Sequence, residues 1–362
     1  MVVLVFAERR ETTMSGNVAL VAGASGHVGS QLIDELKRSG GWTIVALARR
    51  SNLACGVVSL NADLLAGDIA AALARAPHPT HIFYCVRAPH SESGKEDVEA
   101  NLTMLRELIE AAEVVSPHLA HVHIVEGGKW YGAHLGPYRT PACEDDPRHV
   151  GPNFYHAQED WLRLRQRGKA WTWSASRPSY VCAVTPGRSR NLVSLLGAYA
   201  ALCRAEGLPL DYPGSAESFQ SLTEITEAGL LARAMIFLAT DVGAANQSFN
   251  VTNGDALRWS NFWPQLAAYF GMPAGEPRPL RLSDWGHGKE SLWQKIVRNH
   301  GLQNLRLDEV ANWPFGDFVF GQEHDVLSST VKIHQSGFHE TVNSADMLLQ
   351  MMDRYRALKI IP

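Results

Sequence analysis

The first residues able to do chemistry are three glycines. Gly23, Gly26 and Gly29 stand at i, i+3 and i+6 in G-A-S-G-H-V-G, directly after the apolar run V-A-L-V-A and before a segment of helical pattern. Glycine at that spacing permits a tight turn, then close approach of backbone N–H groups to a pyrophosphate, then close packing of helix on strand. The helix N-terminus adds a partial positive charge. Gly23, Ser25, Gly26, His27, Val28 and Gly29 are therefore expected to cradle a dinucleotide. The end of the second strand selects which one. An acidic residue there would bond the ribose hydroxyls of NAD, but the chain reads A-L-A-R-R-S. Arg49 and Arg50 can fork onto a 2′-phosphate, so NADP(H) is the expected cofactor. Asp63 and Leu64, ending the third strand in N-A-D-L, are placed to meet the adenine edge, although an Asp at a strand end is equally an ordinary turn residue.

These groups converge only if a parallel sheet presents them together. From Asn17 onward, β-branched runs alternate with amphipathic segments, which is the pattern of β-α-β units. Strands are expected at 18–22, 43–48, 57–60, 81–86 and 122–125, with helices at 31–39 and 98–114. In the second helix Leu102, Leu105, Ile109 and Ala112 share one face. Further on, helices are expected at 154–165, 191–206 and 223–238, and strands at 171–176 and 248–251. The fold class that follows is α/β, a Rossmann-type doubly wound parallel sheet with a smaller, mostly helical C-terminal substrate lobe. Residues 1–16 read as an extension, 17–180 as the NADP-binding domain and 181–362 as the lobe, with 248–254 returning to the first domain.

Composition narrows the class of function. The chain has 362 residues, 46% hydrophobic and 19% charged, with a formal charge of −4. That balance excludes a disordered chain and gives no electrostatic reason to expect nucleic acid or a membrane surface as partner. No run approaches the roughly 20 apolar residues of a membrane span. The opening M-V-V-L-V-F-A-E-R-R lacks the basic start and small cleavage residues of a secretory signal, so a cytoplasmic location is expected. Five cysteines, odd in number and without a C-x-x-C pair, argue against a disulfide framework or structural zinc. The 15 histidines form no H-x-x-x-H spacing, and no metal is assigned. The carboxylate groups Glu144/Asp145/Asp146 and Glu159/Asp160 read as solvated loop and helix charges.

Several motifs occur in an order that carries a resemblance. E-G-G-K-W-Y-G at 126–132, N-F-Y-H-A-Q-E-D at 153–160, S-F-N-V-T-N-G-D at 248–255 and W-P-F-G-D from Trp313 resemble those of the progesterone 5β-reductase and iridoid synthase-like enzymes. These are an atypical branch of the extended short-chain dehydrogenases, and the likeness spans nearly the whole chain after Asn17. The resemblance implies a catalytic tyrosine at Tyr155 and a lysine at Lys129. It also implies a nicotinamide contact from Pro178 through the backbone of Ser179 to Val181, a small-molecule enone substrate such as a steroid-like Δ4-3-ketone, and compatibility with a homodimer. Ordinary short-chain dehydrogenases carry Y-x-x-x-K on one helix. Here Glu159 occupies the lysine position, and a carboxylate can neither donate to a ribose nor lower a phenol's pKa by its charge. Lys129 can supply the cation from the fifth strand instead. A phenol and an ammonium converging on a carbonyl oxygen suit stabilisation of an enolate, hence 1,4-reduction of a C=C bond with hydride from NADPH. Trp130, Tyr199 and Phe219 are expected in the substrate pocket. This chain departs from the family pattern at Glu126 for threonine, Trp130 for histidine and His156 for a second tyrosine. Two other readings stay open: sugar-nucleotide epimerase or dehydratase chemistry, which needs the conventional dyad, and a non-catalytic NADP-binding regulator.

Overall fold

The computed structural model describes residues 16–49, 56–67, 69–89 and 96–362; Arg50 lies outside them. The chain alternates β1 (Asn17–Ala22), α1 (His27–Ser39), β2 (Trp42–Ala48), β3 (Val58–Asn61), α2 (Ile69–Leu73), β4 (His81–Tyr84), α3 (Val98–Val115), β5 (His121–Val125), α4 (Phe154–Gln166) and β6 (Thr172–Arg177). Then come β7 (Tyr180–Cys182), α5 (Leu192–Ala205), β8 (Leu210–Tyr212), α6 (Ala216–Gln220), β9 (Leu222–Thr223), β10 (Ile225–Glu227), α7 (Ala228–Thr240) and β11 (Gln247–Asn250). Seven strands form one sheet in the order β11-β6-β5-β4-β1-β2-β3, every pair parallel. The order reverses between β1 and β4, which opens a crevice at their carboxyl ends.

The period of two in the strands sorts the core. Leu20, Val45, Leu47, Ile82, Val122 and Ile124 face one layer with α2, α3 and Leu162 of α4. Their alternates Ala19, Val21, Ile44, Ala46 and Phe83 face the other, against α1 and α7. Buried polar groups form a ladder between β5 and β6. His121 of β5 bonds Thr172 and Ser174 of β6 at 2.8 Å each, and His123 bonds Ser174 at 2.8 Å and Ser176 at 3.1 Å. Burial drives both imidazoles well below their ordinary pKa, that of His121 to about 3, so both are neutral.

A third core belongs to the C-terminal lobe. Its centre is α5, whose L-V-S-L-L-G-A-Y-A-A-L-C is apolar on all sides and accordingly buried from Leu192 to Cys203. Trp263, Trp293 and Phe320 pack around it. Among the described residues no helix is long and apolar enough to cross a membrane.

Local differences from the expected elements have identifiable causes. α1 begins at His27, four residues earlier than its apolar pattern, because the glycine loop runs directly into the first turn. The segment 223–227 is two short strands and not the start of α7. The β-branched pair Ile225 and Thr226 lies parallel to β7, and the Thr226 hydroxyl donates to the Val251 carbonyl at 3.1 Å and accepts from Ser179 N–H at 3.0 Å. Glu227 then caps α7 by accepting from Leu230 N–H.

Gly29 shows how tightly the first β-α junction is built. A Cβ there would lie 2.3 Å from the Gly23 carbonyl oxygen. Gly29→Ala must push α1 off β1, an overpacking cost of about 1–3 kcal/mol. We expect a lower melting temperature by calorimetry together with weakened dinucleotide binding; unchanged values of both would contradict this packing.

Candidate active site

A cleft of about 330 Å³ opens where β1, β4, β5 and β6 end. Its floor is the glycine loop, with Gly26, His27 and Val28; its walls include Cys85, Glu126 to Lys129, Tyr155 and Pro178 to Val181; Phe315 and Phe318 of the lobe helix Trp313–Phe320 close the far side. α1 enters this cleft uncapped. Gly26 offers no side chain, the first turn holds no acid, and Ser30 N–H makes the first intrahelical bond, to the Gly26 carbonyl. The N–H groups of His27 to Gly29 are therefore left for a ligand, in the polarity that suits phosphate.

Lys129 stands in a single 3-10 turn, Gly128–Tyr131, that follows β5. Its ammonium donates to Glu96 at 2.9 Å, and Arg87 donates to the same oxygen at 2.7 Å. Burial lowers the Lys129 pKa, with Glu96 opposing. Asn153 ties this turn to α4: its side-chain NH2 donates to the Lys129 carbonyl at 2.8 Å while its oxygen caps the helix at Tyr155 N–H, 2.9 Å. Asn153 thereby holds lysine and tyrosine in one frame. The Tyr155 hydroxyl rests against the turn, since a side chain at Gly127 would meet it at 3.3 Å. Gly128 N–H bonds the Pro178 carbonyl at 3.1 Å, which brings the loop after β6 to the same place. Burial raises the Tyr155 pKa to about 12, with Arg87 opposing, so the phenol keeps its proton at neutral pH.

Behind the cleft lies a buried cation that the sequence reading did not single out as a site residue. Arg177, 1% exposed, donates from Nε to Glu126 at 2.7 Å and from Nη2 to Glu159 at 2.8 Å. Its Nη1 donates to the Tyr131 hydroxyl at 3.1 Å and the Glu144 carbonyl at 3.0 Å. Its plane lies over the Trp130 ring, 3.6 Å from the centroid, and the indole N–H donates to Glu159 at 3.0 Å. Two carboxyl groups share this guanidinium, and their environments separate them. Burial pushes Glu126 up to about 8 against the pull of Arg177, with Glu159 raising it further. Burial also opposes ionisation of Glu159, but Arg177 and Arg163 hold it below the usual range. Glu126 is thus the protonated member and Glu159 the ionised one.

Glu159 is therefore no solvated helix charge: it is wholly buried, and Asp146 is buried as well, while Asp145 and Asp160 are exposed. The three expected pocket aromatics lie elsewhere. Trp130 is the platform beneath Arg177, Tyr199 packs in the lobe core with its hydroxyl on the Asp211 carbonyl at 2.9 Å, and Phe219 packs on Tyr212. Asp63 is exposed and caps its own turn at Leu65 N–H, and the Leu64 side chain is in the core, which leaves only backbone to face a ligand. Ser25 and Arg49 are exposed at the loop and at the end of β2. Gly26, His27, Val28, Lys129, Tyr155, Pro178 and Val181 do share the cleft. The His27 ring turns to the Thr185 hydroxyl.

The chain is similar to known proteins over nearly its whole length. A family model described as a PRISE-like Rossmann-fold domain matches residues 56–362. An (S)-8-oxocitronellyl enol synthase from Nepeta racemosa is 35% identical over 96% of this chain and 93% of its own. A 3-oxo-Δ(4,5)-steroid 5-beta-reductase from Arabidopsis thaliana is 34% identical over the same shares. Among solved structures, a UDP-glucose 4-epimerase from Thermotoga maritima superposes with a TM-score of 0.69 at 15% identity, covering 94% of this chain and 99% of that one, a likeness of fold.

The Glu126 proton has a measurable consequence. The folded chain keeps it up to about pH 8, whereas the unfolded chain releases it near the ordinary value of 4.5, so this group's stabilisation is full at low pH and is lost as pH rises through about 8. Glutamine mimics the protonated acid. Wild type and Glu126→Gln should melt alike near about pH 5, and wild type should fall below the variant by about pH 9. Parallel melting curves across that range would show Glu126 to be ionised in the fold.

Proposed function

The chain belongs to the family of PRISE-like Rossmann-fold enzymes, and on that premise we propose that it is an NADPH-dependent reductase of activated C=C bonds, acting on enones or enals. The observation that carries the reading is the pairing of a protonated Tyr155 with the Lys129 turn at the mouth of β5, while Glu159, at the position of the usual lysine, is consumed by Arg177. NADPH, when bound, supplies hydride to the β-carbon of the substrate. The Tyr155 hydroxyl then donates to the oxygen on which enolate charge develops, and the Lys129 ammonium supports it through the local field. Because its pKa is raised, Tyr155 acts as a hydrogen-bond donor that keeps its proton and not as a phenolate base, and the enolate takes the proton that completes the reduction from solvent at its α-carbon. Asn153 keeps both groups in register. Val125, Gly127 and Val181 line the cleft beside these groups.

The residues present fit a dinucleotide. The uncapped α1 N-terminus can hold the pyrophosphate, and Pro178 to Val181 can meet the nicotinamide. Arg49, exposed at the end of β2, supports NADPH over NADH. We read residues 17–180 as the cofactor domain and 181–362 as the substrate lobe, except that α7, packed on the sheet with α1, and β11, paired to β6, return to the cofactor domain. An epimerase-type reading has no observation in its favour, since the helix lysine it requires is Glu159.

Tyr155→Phe removes one donor from the enolate oxygen and should cut kcat about a hundredfold to a thousandfold for a simple activated enone, read by loss of NADPH absorbance. Full activity in that variant would refute the assignment. Arg49→Ala should raise the KM for NADPH about tenfold while leaving NADH nearly unchanged, as expected for loss of one charge-assisted contact to phosphate.

A further inference from the structure

The cleft holds more positive charge than reduction of a neutral enone requires. Arg87, Lys129 and Arg190 all line it. One carboxylate, Glu96, answers two of them, Arg87 and Lys129. His27 and His134 are neutral and add no charge, because burial lowers both to about 4. Glu126 keeps its proton, and Glu159 is taken by Arg177 and Arg163. Among the described residues Arg190 forms no ion pair. Its guanidinium lies instead over the Phe315 ring, 4.8 Å from the centroid, and Lys129 lies over Phe318 at 5.6 Å. These two rings stand three residues apart on one helix, so they share a face, and each presents a cation to the cleft. The Tyr155 hydroxyl and the Lys129 ammonium both feel the charges of Arg87 and Arg190, which puts the excess at the reacting end.

We propose that the substrate is a small anionic enone, an α,β-unsaturated ketone or aldehyde bearing a carboxylate, and that Arg190 is the specificity-determining cation that holds the anion. The inference rests on the reductase reading and narrows its substrate class. A planar guanidinium set on an aromatic ring, with its N–H groups unspent, is matched to a carboxylate's two oxygens. The cofactor's own phosphates are the competing source of negative charge, because the Arg190 backbone reaches His27 of the glycine loop.

The test compares 4-oxopent-2-enoate with its methyl ester. Wild type should show a kcat/KM about tenfold or more higher for the acid, carried by KM, and Arg190→Gln should bring the ratio near one, with Arg190→Lys restoring part of it. NADPH affinity of Arg190→Gln, measured by fluorescence titration, separates the two anions. If that affinity falls while the acid-to-ester ratio persists, the arginine serves the cofactor and the proposal is overturned. If wild type reduces acid and ester equally, the proposal also fails and the reductase reading stands. If neither compound oxidises NADPH, the reductase reading fails, and calorimetry on the NADP+-saturated protein decides the rest. Binding of the acid but not the ester, lost in Arg190→Gln, upholds the anion site, and equal or absent binding overturns it.

Discussion

A single buried guanidinium organises the working half of this molecule. Arg177 stands at the end of β6 and spends its donors on Glu126 beyond β5, Glu159 on α4, Tyr131 in the lysine turn and the Glu144 carbonyl. Four segments distant in sequence are thus tied at one point. A buried charge is costly unless fully paired, so each partner is held to its place by the desolvation it prevents. Tyr131 passes the constraint on, donating to Asn250 at 2.6 Å, and Asn250 in turn donates to the Ala142 carbonyl at 3.0 Å. The lysine turn and the tyrosine helix cannot drift apart without breaking this set.

That arrangement explains how the chain dispenses with a lysine on the tyrosine helix. The position one turn after Tyr155 anchors the helix from behind, through a carboxylate. The cation comes from across the cleft, on a turn that Asn153 stitches to the same helix. The division leaves the Tyr155 hydroxyl buried in the same cleft as an ammonium already engaged by Glu96, and burial favours donating a hydrogen bond over releasing a proton. In the proposed mechanism specificity and chemistry draw on separate residues: the turn and α4 address the reacting oxygen, and the lobe helix Trp313–Phe320 lines the cleft beyond it.

The parts of the fold governed by short-range rules were legible in the sequence. The glycine loop follows from the conformational needs of one junction, and the parallel strands follow from apolar runs punctuated by amphipathic helices. The family motifs led to Lys129 and Tyr155, which do face one cleft. What could not be read were the contacts made by segments far apart. Glu159 with Arg163 at i+4 looks like a solvated helix pair, and only the fold brings Arg177 to its other side. Aromatic type says that Trp130, Tyr199 and Phe219 are buried but not against what. Residues 223–227 fit a helical period as well as a strand, and the partner strand β7 decided between them. Arg190 sits in a loop with no periodicity to give it direction.

The histidine and serine ladder between β5 and β6 has a consequence for how the sheet finds its alignment. β1 and β2, further along the sheet, are built mostly from alanine, valine, leucine and isoleucine, and there a slip of two residues would still lay apolar face on apolar face. Hydrophobic burial alone is nearly indifferent to such an error. His121 and His123 are not. In the observed register every ring nitrogen meets a hydroxyl, whereas a slip of two residues would set one of the four against Ala170 or Pro178 and leave it without a partner in a dry layer. The ladder thus works as a vernier for the sheet: it distinguishes between alignments that the hydrophobic pattern leaves equivalent, at the strand pair whose ends carry Lys129 and Arg177.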